Sequence, residues 1–236
     1  MFLINQNHIN LVAETEGIYM PNYLKRWILA TAVVAALVFV PAGTLRDPWL
    51  WAYVGVWSAT ALYAMLSIDD DLAKERFRPA TNGADGVALG FVRAAALSHV
   101  VIGALDAGRW HLTRIPAGVR LCGLIAMAAA VLMFYRAMRE NRFFSSVVRI
   151  QSDRGHQVVD SGPYGTVRHP GYAGLILATP LSGLALGSWL AVAAGIVLSA
   201  LIFRRVLFED AFLRQHLEGY TAYAERVPYR LIPGVW

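Results

Sequence analysis

Between His156 and Gly174 the chain reads His-Gln-Val-Val-Asp-Ser-Gly-Pro-Tyr-Gly-Thr-Val-Arg-His-Pro-Gly-Tyr-Ala-Gly. Two histidines, an arginine, two tyrosines and an aspartate stand there between long apolar segments. Pro163 and Pro170 forbid a continuous helix. Gly162, Gly165 and Gly171 permit sharp turns or the close approach of a ligand. A helix starting just past Pro170 turns its free backbone amides toward this loop, an end that favours an anionic group. Arg168 and His169 add donors beside it. Further on, Arg205 and Glu209 are four residues apart and share one helix face. That pair reads either as a surface salt bridge, or as an anion site at Arg205 beside a site for a cation or ribose hydroxyls at Glu209.

Other polar clusters read as structural. Asp69-Asp70-Asp71, followed by Lys74-Glu75-Arg76, reads as a solvated loop or helix cap. The chain has no convincing metal-ligand spacing, so no metal is expected. It has no strand–Gly-x-Gly–helix pattern of a soluble dinucleotide fold. Cys122, the single cysteine, lies in an apolar helix and reads as a small packing residue. Arg93 and His99 are the ionisable groups at membrane depth in the first half. Arg93 is expected to snorkel to a helix end, and His99 to hydrogen-bond across helices.

The elements that must position these groups are membrane helices. With 57% hydrophobic and 16% charged residues, the chain is too apolar for an ordinary soluble domain. Its apolar residues fall in blocks, and a spanning helix needs roughly 20 of them. Helices are predicted over Trp27–Thr44, Trp49–Ile68, Val87–Leu105, Val119–Met138, Tyr172–Leu186 and Ser188–Phe203. The fold class is therefore all-α, a polytopic bundle of about six spans, or five if the last hairpin is partly re-entrant. Residues 1–138 form an N-terminal helical region and 139–236 hold nearly all the candidate chemistry. From Ile202 to Leu217 no helix breaker appears, so the last span is expected to project beyond the bilayer and stop at Gly219. The first 22 residues lack the basic start and cleavage site of a signal peptide, and the first span is expected to be a retained anchor.

The net charge of +5 does not indicate nucleic acid. Sorted by these spans, most Lys and Arg lie on one side, including Lys25, Arg26, Lys74, Arg76, Arg78, the cluster from Arg136 to Arg168, and Arg204 to Arg230. Arg46, Arg109, Arg114 and Arg120 lie on the other. The positive-inside rule then puts both termini and the 139–171 loop in the cytoplasm, with Trp49, Trp51 and Trp110 as an aromatic belt opposite. A bacterial inner membrane is the expected location.

Ser161-Gly162-Pro163-Tyr164, Arg168-His169-Pro170-Gly171-Tyr172, Glu209-Asp210, and Gly219-Tyr220 with Tyr223 together resemble the isoprenylcysteine carboxyl methyltransferase family over about residues 141–233. Its members are integral membrane enzymes that use S-adenosylmethionine and release S-adenosylhomocysteine; phospholipid methyltransferases share the pattern. The resemblance implies a cofactor pocket closed by the loop and the C-terminal helix. His156, Gln157, Val158, Val159, Tyr164, His169, Pro170, Gly171, Tyr172 and Glu209 would hold the cofactor. Arg205 would face the substrate, Arg168 would stabilise the loop or the methyl acceptor, and Asn141 would line the same cavity. Methyl transfer from a sulfonium needs an oriented nucleophile and exclusion of water. Arg205 can hold an acceptor carboxylate in bidentate fashion. The expected acceptor is lipophilic, a prenyl or lipid substrate reaching the site sideways among membrane lipids. Gly165, Arg149 and Asp210 depart from the family pattern and leave the acceptor open. Val227-Pro228-Tyr229-Arg230-Leu231-Ile232-Pro233-Gly234 is similar instead to the C-terminal signature of NADPH-dependent sterol reductases, which gives the alternative reading.

Overall fold

The computed structural model describes residues 22–79 and 83–236. The expectation about the first 22 residues thus falls outside the described residues, save for Asn22. The regular structure described is helical: α1 Asn22–Ala42, α2 Pro48–Ser67, α3 Asp70–Phe77, α4 Gly86–Leu105, α5 Ala117–Glu140, α6 Pro170–Leu186, α7 Trp189–His216 and α8 Tyr220–Arg226. One turn of π-helix, Asp106–Trp110, prolongs α4. Among the described residues five helices are long and apolar enough to cross a membrane, while α6 has 17 residues and falls short of that length. The six expected spans therefore become five full ones and a short sixth. Proline at its first position starts α6, and Gly187 at φ +84° ends it.

Local chemistry sets the helix starts. The Asp47 carboxylate accepts from Trp49 N at 2.8 Å and Pro48 opens α2. The Asp69 carboxylate accepts from Leu72 N at 2.7 Å and caps α3, so the Asp69–Asp71 run is the helix cap expected of it. Each such cap satisfies a donor that the first turn leaves free.

α5, α6 and α7 pack most closely, because small residues let their backbones approach. A Cβ on Gly174 would stand 2.7 Å from Ala130 O in α5, and one on Gly195 would stand 2.6 Å from Thr179 O in α6. Pro180 lies inside α6 and cannot donate to Ile176 O. Ser199 Oγ of α7 donates to that carbonyl instead, at 2.9 Å. Lipid supplies no donors, so the bundle must provide this one. His99 is buried; its Nδ1 lies 2.9 Å from Ala191 O and its Nε2 3.0 Å from Ser182 Oγ, which also bonds Tyr53. That is the cross-helix bonding expected of it.

Two expectations change. Cys122 is exposed on the outer face of α5 and fills no packing position. α7 projects past the span to His216 with Leu217 as its cap, as expected, but Gly219 at φ +79° opens α8 rather than ending α7.

Candidate active site

The segment between α5 and α6 is clamped on two sides. Toward the N-terminal helices, Arg149 donates from Nη2 to Glu75 Oε2 at 2.7 Å and from Nε to Glu75 Oε1 at 3.1 Å. Ser145 Oγ donates to the same carboxylate at 2.7 Å. Burial raises the Glu75 pKa, but the Arg149 and Ser145 bonds overcome it and the net direction is down. Arg154 reaches Asp71 on α3. Val148 N donates to Asp85 Oδ1 at 2.9 Å, and Ala84 N to Val148 O at 2.8 Å.

Toward the C-terminus the clamp is Arg168, whose side chain is 1% exposed. Its Nε donates to Asp210 Oδ1 at 2.8 Å and its Nη2 to Asp210 Oδ2 at 3.2 Å. Its Nη1 donates to the carbonyls of Val227 and Pro228, both at 2.8 Å. Arg168 N and His169 N donate to Tyr229 O and Arg230 O, each at 2.9 Å. Asp210 also accepts from Tyr220 Oη at 3.1 Å and Arg230 Nε at 3.0 Å, with His169 Nε2 at 3.2 Å. Residues 227–230 are thus the strip onto which the loop is tied.

Between the two clamps lies a cavity that opens to the surface. Asn141, His156, Gln157, Val158, Val159, Tyr164, Arg168, His169, Gly171, Tyr172, Arg205 and Glu209 all line it. Pro170, expected among them, does not; it is buried at the first turn of α6. Tyr172 Oη donates to Glu209 Oε2 at 2.6 Å and holds that carboxylate in the wall. Tyr164 Oη donates to Ala137 O at 3.2 Å and Tyr223 Oη to Tyr164 O at 2.8 Å. Burial pushes the phenols of Tyr164, Tyr220 and Tyr223 up, so they remain neutral donors.

His156 packs with its ring tilted against Phe143, 4.6 Å between centroids, and accepts from Gln151 N at 3.3 Å. Burial, with the nearby Arg149 and Arg154 charges, lowers its pKa to about 4. It is a neutral acceptor at physiological pH.

Arg205 and Glu209 form neither the surface salt bridge nor any other direct pair among the described residues. Arg205 is 9% exposed, with Nε 2.9 Å from Asp85 Oδ2, and it donates from Nη2 to Ser146 O at 2.7 Å. Its guanidinium lies 5.9 Å from the Tyr172 ring centroid. Sequence reading missed Arg76, Arg149, Gln151, Phe143, Phe144 and Tyr220 as lining residues, and Asp85 and Asp210 as partners. The tyrosine after Gly219 was visible as part of a motif. Glu75 and Arg76 looked like solvent-facing charge in a Lys-Glu-Arg run and carried no signal.

The wall mixes charged and aromatic groups, with Arg76, Arg149, Arg168 and Arg205 among them. It combines the Glu209 carboxylate with aromatic faces from Phe143, Tyr164, Tyr172 and Tyr220 and a neutral imidazole, and aromatic faces attract cations. Among the described residues no group of three or more His, Cys, Asp or Glu could hold a metal ion.

Residues 120–215 match the isoprenylcysteine carboxyl methyltransferase (ICMT) family. A probable protein-S-isoprenylcysteine O-methyltransferase from Oryza sativa subsp. indica is 35% identical over 88 residues, 36% of this chain and 46% of that protein. Protein-S-isoprenylcysteine O-methyltransferase B from Arabidopsis thaliana is 29% identical over 97 residues, 37% of this chain and 45% of that protein. The matched stretch thus spans a little under half the length of these relatives. A solved eukaryotic intramembrane Ras methyltransferase, ICMT, aligns with a TM-score of 0.54 and 17% identity, covering 90% of this chain and 77% of that one. At that identity the likeness shows the fold. The chain is a multi-pass membrane helix bundle with the ICMT fold, and its residues 120–215 carry the sequence pattern of the isoprenylcysteine carboxyl methyltransferase family.

Proposed function

We propose that this protein transfers a methyl group from S-adenosylmethionine to a lipophilic acceptor, with a carboxylate as the accepting group. The observation that supports it is the convergence of twelve sequence-separated residues of the family pattern on one cavity. The names of the relatives, protein-S-isoprenylcysteine O-methyltransferases, point to a prenylated cysteine as the acceptor class.

In this reading His156 to Val159, Tyr164, His169, Gly171, Tyr172 and Glu209 hold the donor, with Pro170 fixing the start of α6 beneath it. The donor supplies an electrophilic methyl group on sulfur. The chain supplies the rest: Glu209 places negative charge beside a cation, and the loop excludes water from the reacting atoms, which strengthens attraction between a carboxylate and a sulfonium. Arg168 is a positioning residue, since its donors are spent on Asp210 and two carbonyls. Asn141 and Arg205 face the acceptor. Residues 1–138 hold the acceptor in the bilayer and 139–236 carry most of the donor site. The distribution of Lys and Arg supports cytoplasmic termini and a cytoplasmic loop, in a bacterial inner membrane.

The test is calorimetric binding of S-adenosylhomocysteine and of NADPH, in parallel, to detergent-purified protein. Binding of S-adenosylhomocysteine alone is expected. Binding of NADPH alone would transfer these residues to reductive chemistry and sink the proposal.

A further inference from the structure

Four arginines line the cavity: Arg76, Arg149, Arg168 and Arg205. Three already have a carboxylate. Arg149 is matched by Glu75 at 2.7 Å, Arg168 by Asp210 at 2.8 Å and Arg205 by Asp85 at 2.9 Å. Arg76 has none among the described residues. Its Nη1 donates to Ser145 O at 3.2 Å, and no other hydrogen bond is made by its guanidinium there. What holds it is aromatic: its Cζ lies 5.5 Å from the centroids of both Phe134 and Phe144. Two ring faces fix a guanidinium without neutralising it, and Nε and Nη2 remain available to an incoming acceptor group. Burial pulls the Arg76 pKa down, as expected of a cation short of a counter-ion.

Position gives this charge a use. A second, apolar groove lies between α1, α2 and α5, lined by Val34, Trp57, Ala61, Met65, Tyr135 and Met138 among others. Arg76 and Phe134 line both the groove and the cavity. Arg76 therefore stands at the boundary between an apolar trough inside the membrane bundle and the polar site. A molecule with a long apolar tail and an anionic head, lying tail in the groove, brings its head to Arg76. A neutral or cationic head would leave the guanidinium desolvated and unpaired, a costly state for a charge.

We infer that Arg76 is the head-group subsite of the acceptor, and that it selects a lipophilic carboxylate over neutral lipophiles of the same shape. Arg205, already paired with Asp85, does not bind that carboxylate directly. The inference rests on the methyl-transfer reading for the identity of the second ligand only, because the carboxylate preference is measurable by itself.

The experiment uses the full chain in nanodiscs with saturating S-adenosylhomocysteine. The probes are N-acetyl-S-farnesylcysteine and its carboxamide, and affinity is measured for wild type, Arg76→Gln, Arg76→Lys and Ala61→Trp. Wild type is expected to favour the carboxylate by roughly 10- to 100-fold, the range of a hydrogen bond to a charged group. Arg76→Gln should erase that ratio while leaving carboxamide and S-adenosylhomocysteine affinities unchanged. Arg76→Lys should keep part of it. Ala61→Trp should weaken both farnesyl probes alike, as expected for a filled groove. A wild-type protein with no carboxylate preference, or with no affinity for either probe, overturns the inference. So does an Arg76→Gln protein that keeps the preference but loses S-adenosylhomocysteine, since Arg76 would then serve the donor. Failure of wild type to bind S-adenosylhomocysteine while preferring the carboxylate removes the methyl-transfer reading and leaves the subsite standing.

Discussion

Single side chains in this site are committed by their partners more than by their type. Glu209 is held by the Tyr172 hydroxyl at 2.6 Å and faces the cavity. Glu209→Ala is predicted to weaken S-adenosylhomocysteine binding at least tenfold by calorimetry, with membrane insertion unchanged; equal affinity in the variant would remove Glu209 from the donor site. His156 is a second residue-scale case. Its pKa lies at about 4, below the value near 6.5 of an unfolded chain. The folded state therefore favours the neutral ring, and its contribution is complete above about pH 6.5 and is lost as pH falls through about 4. Protonation also removes the acceptor for Gln151 N. Thermal stability of wild type should thus drop between pH 6.5 and 4 by more than that of His156→Gln, whose side chain does not titrate there. Parallel pH curves for the two proteins would refute this.

At the scale of elements, α4, α7 and the loop meet through Asp85 and Arg205. Both are buried, with side-chain exposures of 2% and 9%. Removing one partner leaves a buried charge, which costs about 3–5 kcal/mol, whereas removing both is far milder. Arg205→Met should therefore lower the melting temperature strongly, and Asp85→Asn with Arg205→Met should recover most of the loss. A double variant as unstable as the sum of the singles would show that the two are not coupled. The α6–α7 hairpin has a different dependence. A Cβ on Gly195 would lie 2.6 Å from Thr179 O and 2.9 Å from Pro180 Cα, and backbone cannot yield as a side-chain tip can. Gly195→Leu should separate the helices and abolish folded protein in size-exclusion profiles, while Cys122→Leu, on the exposed face of α5, should not.

The whole molecule closes around the loop because Arg168 joins it to α7 and to the C-terminal strip. Its fork meets both Asp210 oxygens and two carbonyls at once, a geometry that lysine cannot copy. Both Arg168→Met and Arg168→Lys are predicted to free residues 227–236, visible as faster proteolysis there and weaker S-adenosylhomocysteine binding. A lysine variant with wild-type protection would show that charge alone suffices. The same closure shows what was legible beforehand. The helical bundle follows from apolar runs of span length, which leave the backbone no way to satisfy itself in lipid except as helix. The segment from His156 to Tyr172 stood out because proline, glycine and ionisable residues are costly at a membrane unless they are used. The facing of each helix was not legible. Lipid is as apolar as a protein core, so an outward Cys122 and an inward one look alike in sequence.

Nor was the pairing of charges legible. Lys74-Glu75-Arg76 reads as solvated, yet Glu75 is 4% exposed beneath Arg149 and Arg76 faces the cavity. The sequence by itself determined the helices, the polar loop and the kinds of groups at its mouth, because those depend on local composition and periodicity. Only the tertiary structure decided which arginine is spent and which is free. That outcome depends on contacts such as Arg205 with Asp85 and Arg168 with Asp210. The first joins residues brought together only when α4 and α7 pack, and no local pattern encodes that distance.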